Sequence, residues 1–396
     1  MAVNTEIVTS RYNTQQIKDD IMTENSMQAN AELANLAPNN WLNYLATQGA
    51  IVQNETVTSF GNLADELLAT TDGSIMCDLS HLGLLEIDGA DAVTFLQGQV
   101  TNDVSLLDGS NSHYTGYCNP KGRLLALFLA FSHYNHVHLQ LSRELVAPIM
   151  KRLKMYVIRS KVEIKDSSAN IIKIGVNGTD VQKLLSGLFT QVPQNEYDLV
   201  SLTNGALIKL PSSQNHSQDC NQERYEIFTD IEHAPAIWIA LKKHCTPVGK
   251  ACWDYLEIEA GIPDVVIKTQ EEFVPQMLNL DLINAINFKK GCYTGQEIVA
   301  RTHYLGKVKR RTLRASIKTN ALPEAGDDIL NSAQEVVGKI VRSAPMLNDT
   351  ASLLVELRLD NVAMDNLEHS TLAWQGHALS LHAENALLLS TGTAEG

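Results

Sequence analysis

No apolar run in this sequence is longer than eight residues, the stretch Leu124–Phe131, LLALFLAF. A membrane-crossing helix needs about twenty consecutive apolar residues. The runs must therefore be strands and short amphipathic helices, packed on one another and separated by turns. At 396 residues the chain is too long for one ordinary core, and its length implies two or three domains. With 44% hydrophobic and 19% charged residues it can build those cores without disulfide or metal support.

Residues 1–35 are rich in Asn, Gln, Thr and Ser with weak periodicity and read as a mobile arm. IMCDLSHLGLLEIDG, from Ile75, reads as strands ending in a turn at Asp88–Gly89, and ADAVTFLQGQ as a short amphipathic helix. GRLLALFLAF and HVHLQLS, around the polar SHYN, form a hairpin whose second strand alternates through Val137, Leu139 and Leu141. SRELVAPIMKRLKMYVIRSKVEIKD is a helix feeding a strand, with Ser142 as the N-cap candidate. The stretch PSSQNHSQDCNQER is a surface loop. Beyond Leu313, short apolar stretches separated by NALPEAGDD, NSAQ and NDT imply a small β-barrel or sandwich. The class is α+β, with a β-rich C-terminal domain.

The net charge of −14 and pI near 5.3 argue against a surface devoted to nucleic-acid phosphate, so any anionic ligand must meet a local cluster. Six scattered cysteines without a C-x-x-C pair exclude a zinc knuckle or a local iron-sulfur ligand run and fit reduced thiols in the cytosol. The N-terminal stretch has no apolar signal region, and cytoplasmic localisation is expected. His136 and His138 share a strand face near His133, yet no carboxylate or cysteine stands beside them in sequence, so an exposed strand face is preferred and no metal site is assigned. P-loop, G-x-G-x-x-G and G-x-S-x-G motifs are absent.

Three stretches carry candidate chemistry. In CWDYLEIEAGIP, Trp253, Leu256 and Ala260 fall on one helical stripe that Gly261 and Pro263 end, leaving Glu257 and Glu259 at the negative end of the helix dipole. A carboxylate there suits a flat heterocycle with adjacent N–H donors, with Trp253 covering a ring face; two solvated acids and a core tryptophan are the bland alternative. In FKKGCYTGQEIVAR, Thr294 and Glu297 fit a capping box, which sets Cys292 just before a helix start and beside Lys289 and Lys290. Both influences favour the thiolate, although a small buried cysteine is the commoner fate. Asp103 follows the Asp91–Gln97 helix in a turn, where a capping role is the simplest reading. The run GKVKRR, Lys307–Arg311, is either a solvated charge run or a receptor for an anionic tail or acidic partner.

The segments FLQGQVTNDVS, YCNPKGR, YVIRSKV, WDYLEIEAGIP, FVPQMLNLDLINAINFKKGCYTGQEIVAR and LPEAGDD resemble, in order, the YgfZ-type folate-binding proteins, relatives of the aminomethyltransferase (T-protein) of the glycine cleavage system. The resemblance implies a three-domain, aminomethyltransferase-like folate-binding fold with a ferredoxin-like subdomain and a C-terminal β-barrel. The implied division is an arm over 1–35, a folate-binding module of two interleaved subdomains over 36–305, and a barrel over 306–396. Trp253, Glu259 and Asp103 match folate-binding positions, Asp103 also matches the catalytic aspartate of the aminomethyltransferases, and Lys290 and Cys292 match the signature pair. The implied cofactor is tetrahydrofolate or a derivative.

The function so implied is an accessory factor for assembly or repair of iron-sulfur enzymes, including tRNA-modifying ones, acting through a reactive Cys292 supported by Lys290. Its partners would be folate and iron-sulfur enzymes or their assembly factors, with no direct nucleic-acid contact and no membrane. The alternative is a true enzyme, a folate-dependent aminomethyltransferase or other one-carbon transferase using Asp103. A docking scaffold working through Lys307–Arg314 is a third class.

Overall fold

The computed structural model describes residues 41–212, 222–304, 306–362, 367, 370–383 and 385. The expected arm over 1–35 lies outside the described residues, as does the part of the polar loop over 213–221. The chain forms two compact units, Met1–His81 with Ser168–Lys250, and Leu82–Ser167 with Ala251–Gly396.

The first unit is built on a six-stranded sheet in the order Leu199–Leu202, Gly205–Leu210, Glu223–Asp230, Ile171–Gly178, Ile75–Asp78 and Thr246–Val248. Neighbours are antiparallel except the last pair, which is parallel. Trp41, Tyr44, Tyr225 and Trp238 fill its core with Val181 and Leu185 from the helix Val181–Leu188. The buried Asp78 accepts from the Trp41 indole at 2.7 Å and the Ser80 hydroxyl at 2.9 Å, and burial raises its pKa. A carboxyl removed from water must be paired in this way or become neutral.

The second unit holds a five-stranded antiparallel sheet, ordered Ser112–Cys118, Leu124–His133, His136–Ser142, Leu82–Asp88 and Glu163–Asp166. The hairpin expected at SHYN turns on two residues, Tyr134 and Asn135, with φ of 49° and 65°. Such positive angles match the right-handed twist of paired strands. The β-rich C-terminal domain is a closed barrel of six strands, in the order Arg310–Lys318, Thr350–Arg358, Val336–Met346, Asp328–Leu330, Ala373–Trp374 and His377–Leu381. Alternate residues Leu313, Ala315 and Ile317 and their counterparts Leu353, Val355 and Leu357 point into it. The helix Lys250–Glu259 buries every residue from Cys252 onward and stops, as expected, before Gly261 at φ +69°. No helix among the described residues is long and apolar enough to cross a membrane.

Candidate functional site

Cys292 is exposed, whereas Cys77, Cys118, Cys245 and Cys252 are buried. The helix after it starts at Gln296, one residue later than a cap at Thr294 would start it. The cause is Gly295, whose φ of +84° is outside the helical range, and where a Cβ would lie 2.5 Å from the Asn119 carbonyl oxygen and 2.9 Å from Gly122 Cα. KGCYTGQE is thus pressed against the turn of YCNPKGR, and only glycine permits that approach. The thiol is set in a non-helical loop and not on a helix terminus.

Lys290, read from the sequence as a cation for that thiol, turns its ammonium elsewhere. It is 8% exposed, and its Nζ donates to the carbonyls of Val100 and Asn102, each at 2.7 Å, while lying 5.3 Å from the Tyr293 ring centre. Burial pushes its pKa down to about 8, against the opposing pull of Asp103. The same turn is stitched to residues 284–287 by Thr101 Oγ1 donating to Ala285 O (2.7 Å), Asn102 Nδ2 to Asn284 O (2.8 Å) and Asn287 N to Thr101 O (3.0 Å). These bonds fix the backbone from which Asp103 projects.

Asp103 caps a short 3-10 turn, Val104–Leu106, as its position in the sequence implies. Its Oδ1 accepts from Gln97 Nε2 (2.7 Å), Ser105 N (3.0 Å) and Ser105 Oγ (2.5 Å), whereas Oδ2 takes no hydrogen bond among the described residues. Burial would raise its pKa, but the Ser105 hydroxyl, the Gln97 amide and the Ser105 N–H outweigh it and, with Lys290, hold the carboxyl below its usual range. Beside it His113, on the strand Ser112–Cys118, keeps a buried Nε2 with no partner among the described residues. Burial, with the Lys290 ammonium, pushes its pKa down to about 4, so the imidazole is neutral. Nothing in the sequence marked His113, because the strand residues Tyr114 and Thr115 reach Asn102 only in the folded chain.

Glu259 and Trp253 are placed differently from the expectation of an open cradle. Trp253 is 1% exposed and Glu259 is 7% exposed. The Glu259 carboxylate is ion-paired to Arg314 of the barrel and accepts from Ser352 Oγ at 3.4 Å. Its helix neighbour Asp254 meets Arg342 at 3.3 Å, which also faces Asp264 at 3.7 Å. Of the two carboxylates at the negative end of the helix, Glu259 is therefore met by a barrel arginine. The basic run is likewise drawn inward: Arg310 pairs with the buried Glu356, and Arg311 grips Asp281 bidentately at 2.6 and 2.8 Å. Lys307 and Lys309 remain exposed.

The histidines lie beside carboxylates that sequence spacing did not reveal. Pairing of Leu82–Asp88 with His136–Ser142 sets Glu86 opposite His138. Glu86 lies 3.3 Å from His136 Nδ1 and 3.8 Å from His138 Nε2, and Asp88 lies 3.7 Å from His136 Nε2. Among the described residues no group of three or more such side chains is arranged to hold a metal ion.

Residues 34–290 match the GCVT N-terminal domain family. The chain is 30% identical over 297 residues to the tRNA-modifying protein YgfZ of Yersinia pseudotuberculosis, covering 74% of this chain and 86% of that protein. It is 31% identical over 261 residues to the protein of that name in Pectobacterium atrosepticum, covering 66% and 76%. The fold is shared with the glycine cleavage system aminomethyltransferase T from Bartonella henselae, at a TM-score of 0.68 and 17% identity over 86% of this chain and 95% of that one. The chain belongs to the GCVT N-terminal domain family and, within it, to the YgfZ proteins.

Proposed function

We propose that this chain is a reduced-folate-binding accessory factor for iron-sulfur enzymes, including those that modify tRNA, in which Asp103 holds the folate and Cys292 supplies a thiol. The observation that carries this reading is the linkage through Lys290. Two residues from the exposed thiol, its ammonium fixes the backbone just before a carboxylate with one open oxygen. The tRNA-modifying role named for the YgfZ relatives supports the choice of client.

The residues fit a folate unevenly. At Asp103 the fit is good: Oδ2 is available to an N–H donor, and His113, near enough for the charge of Asp103 to act on it, keeps an unpartnered Nε2. At Glu259 the carboxylate is already held by Arg314 and Ser352, so a pterin edge would have to share it with the arginine. Trp253, on the same helix as Glu259, is buried and presents no open ring face. When bound, a reduced folate supplies a carrier for one-carbon groups. The chain's own part is to orient it: Gln97 and Ser105 hold Asp103 ionised, and Lys290 immobilises its backbone. Cys292, in its exposed loop, is available to a partner protein.

The test is titration of reduced tetrahydrofolate into the wild type and Asp103→Asn under anaerobic conditions. We expect binding by the wild type and at least about tenfold weakening in the variant. Absence of wild-type binding would sink the reading. The open oxygen of Asp103 also suits a one-carbon transferase, and turnover of an aminomethyl-lipoyl carrier would favour that second reading.

A further inference from the structure

The twelve residues Lys151–Val162, KRLKMYVIRSKV, hold five cations and no acid, in a chain of net charge −14. Lys151, Lys154, Arg159 and Lys161 are exposed, and none forms an ion pair among the described residues. Arg152 is engaged by the Tyr117 phenol. The nearby acids are otherwise occupied: Asp91 accepts the Lys161 N–H at 2.7 Å, Glu163 pairs with Lys165 at 3.1 Å, and Asp166 with Arg143 at 3.1 Å. Lys151 and Lys154 end the helix Val146–Lys154, where cations complement the dipole. That accounts for neither Arg159 and Lys161 nor the apolar tip between them.

At the tip Met155 is 61% exposed, Tyr156 43% and Ile158 82%. Turns from Tyr156 N to Leu153 O (3.0 Å), Val157 N to Lys154 O (3.2 Å) and Ile158 N to Tyr156 O (3.1 Å) fold the tip back on the helix end. The apolar groups and the cations therefore share one small surface. Three side chains are far too few for a specific protein interface, which takes about 800 Å² from each partner. They do suit a few unstacked bases, whose faces lie on aromatic or aliphatic side chains while flanking cations meet the phosphates.

We propose that the Lys151–Val162 loop is a docking surface for single-stranded RNA, with Lys151, Lys154, Arg159 and Lys161 on phosphates and Tyr156, Met155 and Ile158 against bases. This reverses the expectation of no direct nucleic-acid contact. That expectation used the charge of the whole chain, which conceals a local concentration of cations.

The test is fluorescence anisotropy of a labelled single-stranded RNA of about twelve nucleotides, with the full chain, from roughly 50 to 200 mM KCl. The wild type should bind with log K falling against log salt at a slope of about −2 to −3, near 0.7 per phosphate contacted. Lys151→Glu/Lys154→Glu/Arg159→Glu should weaken binding at least about tenfold and flatten that slope. Tyr156→Ala and Ile158→Ser should weaken it several-fold and leave the slope unchanged. No wild-type binding, unchanged affinity in the charge-reversed variant, or equally effective competition by polyglutamate would overturn the proposal. The last outcome would identify the surface as one for acidic polypeptides.

Discussion

The Lys290 ammonium donates at 2.7 Å to the carbonyl of Asn102, the residue immediately before Asp103. Separated by 187 positions in sequence, the lysine and the aspartate are thus parts of one rigid turn. Lys290 acts on Asp103 chiefly by fixing its backbone, with a smaller electrostatic pull on its carboxyl.

The pH dependence of stability follows from that burial. The folded pKa of Lys290 is about 8, below the unfolded value of about 10.4. Between these values the unfolded chain keeps a proton that the folded chain has lost, so this group makes stability rise with pH across that window. Denaturant unfolding of the wild type and Lys290→Met from pH 7 to 10 should show the wild type gaining relative to the variant. A pH-independent difference would contradict the assignment.

His138 and His113 give the opposite end of the profile. Burial is the first cause in both, and their pKa values are pushed down to about 3 and about 4. Below about 6.5 the unfolded chain takes up protons that these imidazoles refuse, so their contribution is intact above that pH and is lost as pH falls towards 3–4. His138→Phe, which retains the stacking on Phe131 at 4.9 Å, should reduce acid sensitivity over pH 6.5 to 4. Unchanged acid unfolding would show that His138 titrates normally.

Arg314 and Glu259 form a largely buried ion pair. Removing one partner strands the other charge, so Arg314→Met should cost about 3–5 kcal/mol. Adding Glu259→Gln should restore much of that loss, giving a large coupling energy in a double-mutant cycle. Additive single effects would mean that the two side chains act independently. In cells, Glu259→Gln should impair support of iron-sulfur enzymes, whereas a docking scaffold acting through Lys307–Arg314 predicts no effect.

Gly295 is held at φ +84° against the Asn119–Gly122 turn. Gly295→Ala should destabilise by about 2–4 kcal/mol through strain and backbone collision. It should also shift the cysteine loop, seen as a changed rate of Cys292 alkylation. Wild-type stability and alkylation rate together would refute the close approach.

Cys292→Ala should change stability by less than about 0.5 kcal/mol, because the side chain is exposed. Folate binding should survive, while rescue of iron-sulfur enzyme activities in a deletion strain should fail. Loss of folate binding would make the cysteine structural.

Local pattern was enough for the elements themselves. The period-two run through Val137, Leu139 and Leu141, the stop at Gly261 and the closely spaced C-terminal strands are written in residues a few positions apart; that spacing left a barrel or a sandwich open, and the fold closes the strands into a barrel. The Asp103 cap was legible for the same reason, since its partners Gln97 and Ser105 are six and two residues away. The cap expected at Thr294 is one residue early because what holds Gly295 out of the helix, the Asn119–Gly122 turn, is more than 170 positions distant.

What the sequence determined by itself was the set of strands, helices and turns and the charge each segment carries, because periodicity, caps and glycines act over one or two turns of chain. Only the tertiary structure decided where the charges go. Lys290 leaves the thiol for two carbonyls, Glu259 receives Arg314, and Glu86 comes beside His138, since a buried ion or polar group must find its partner wherever the fold presents one.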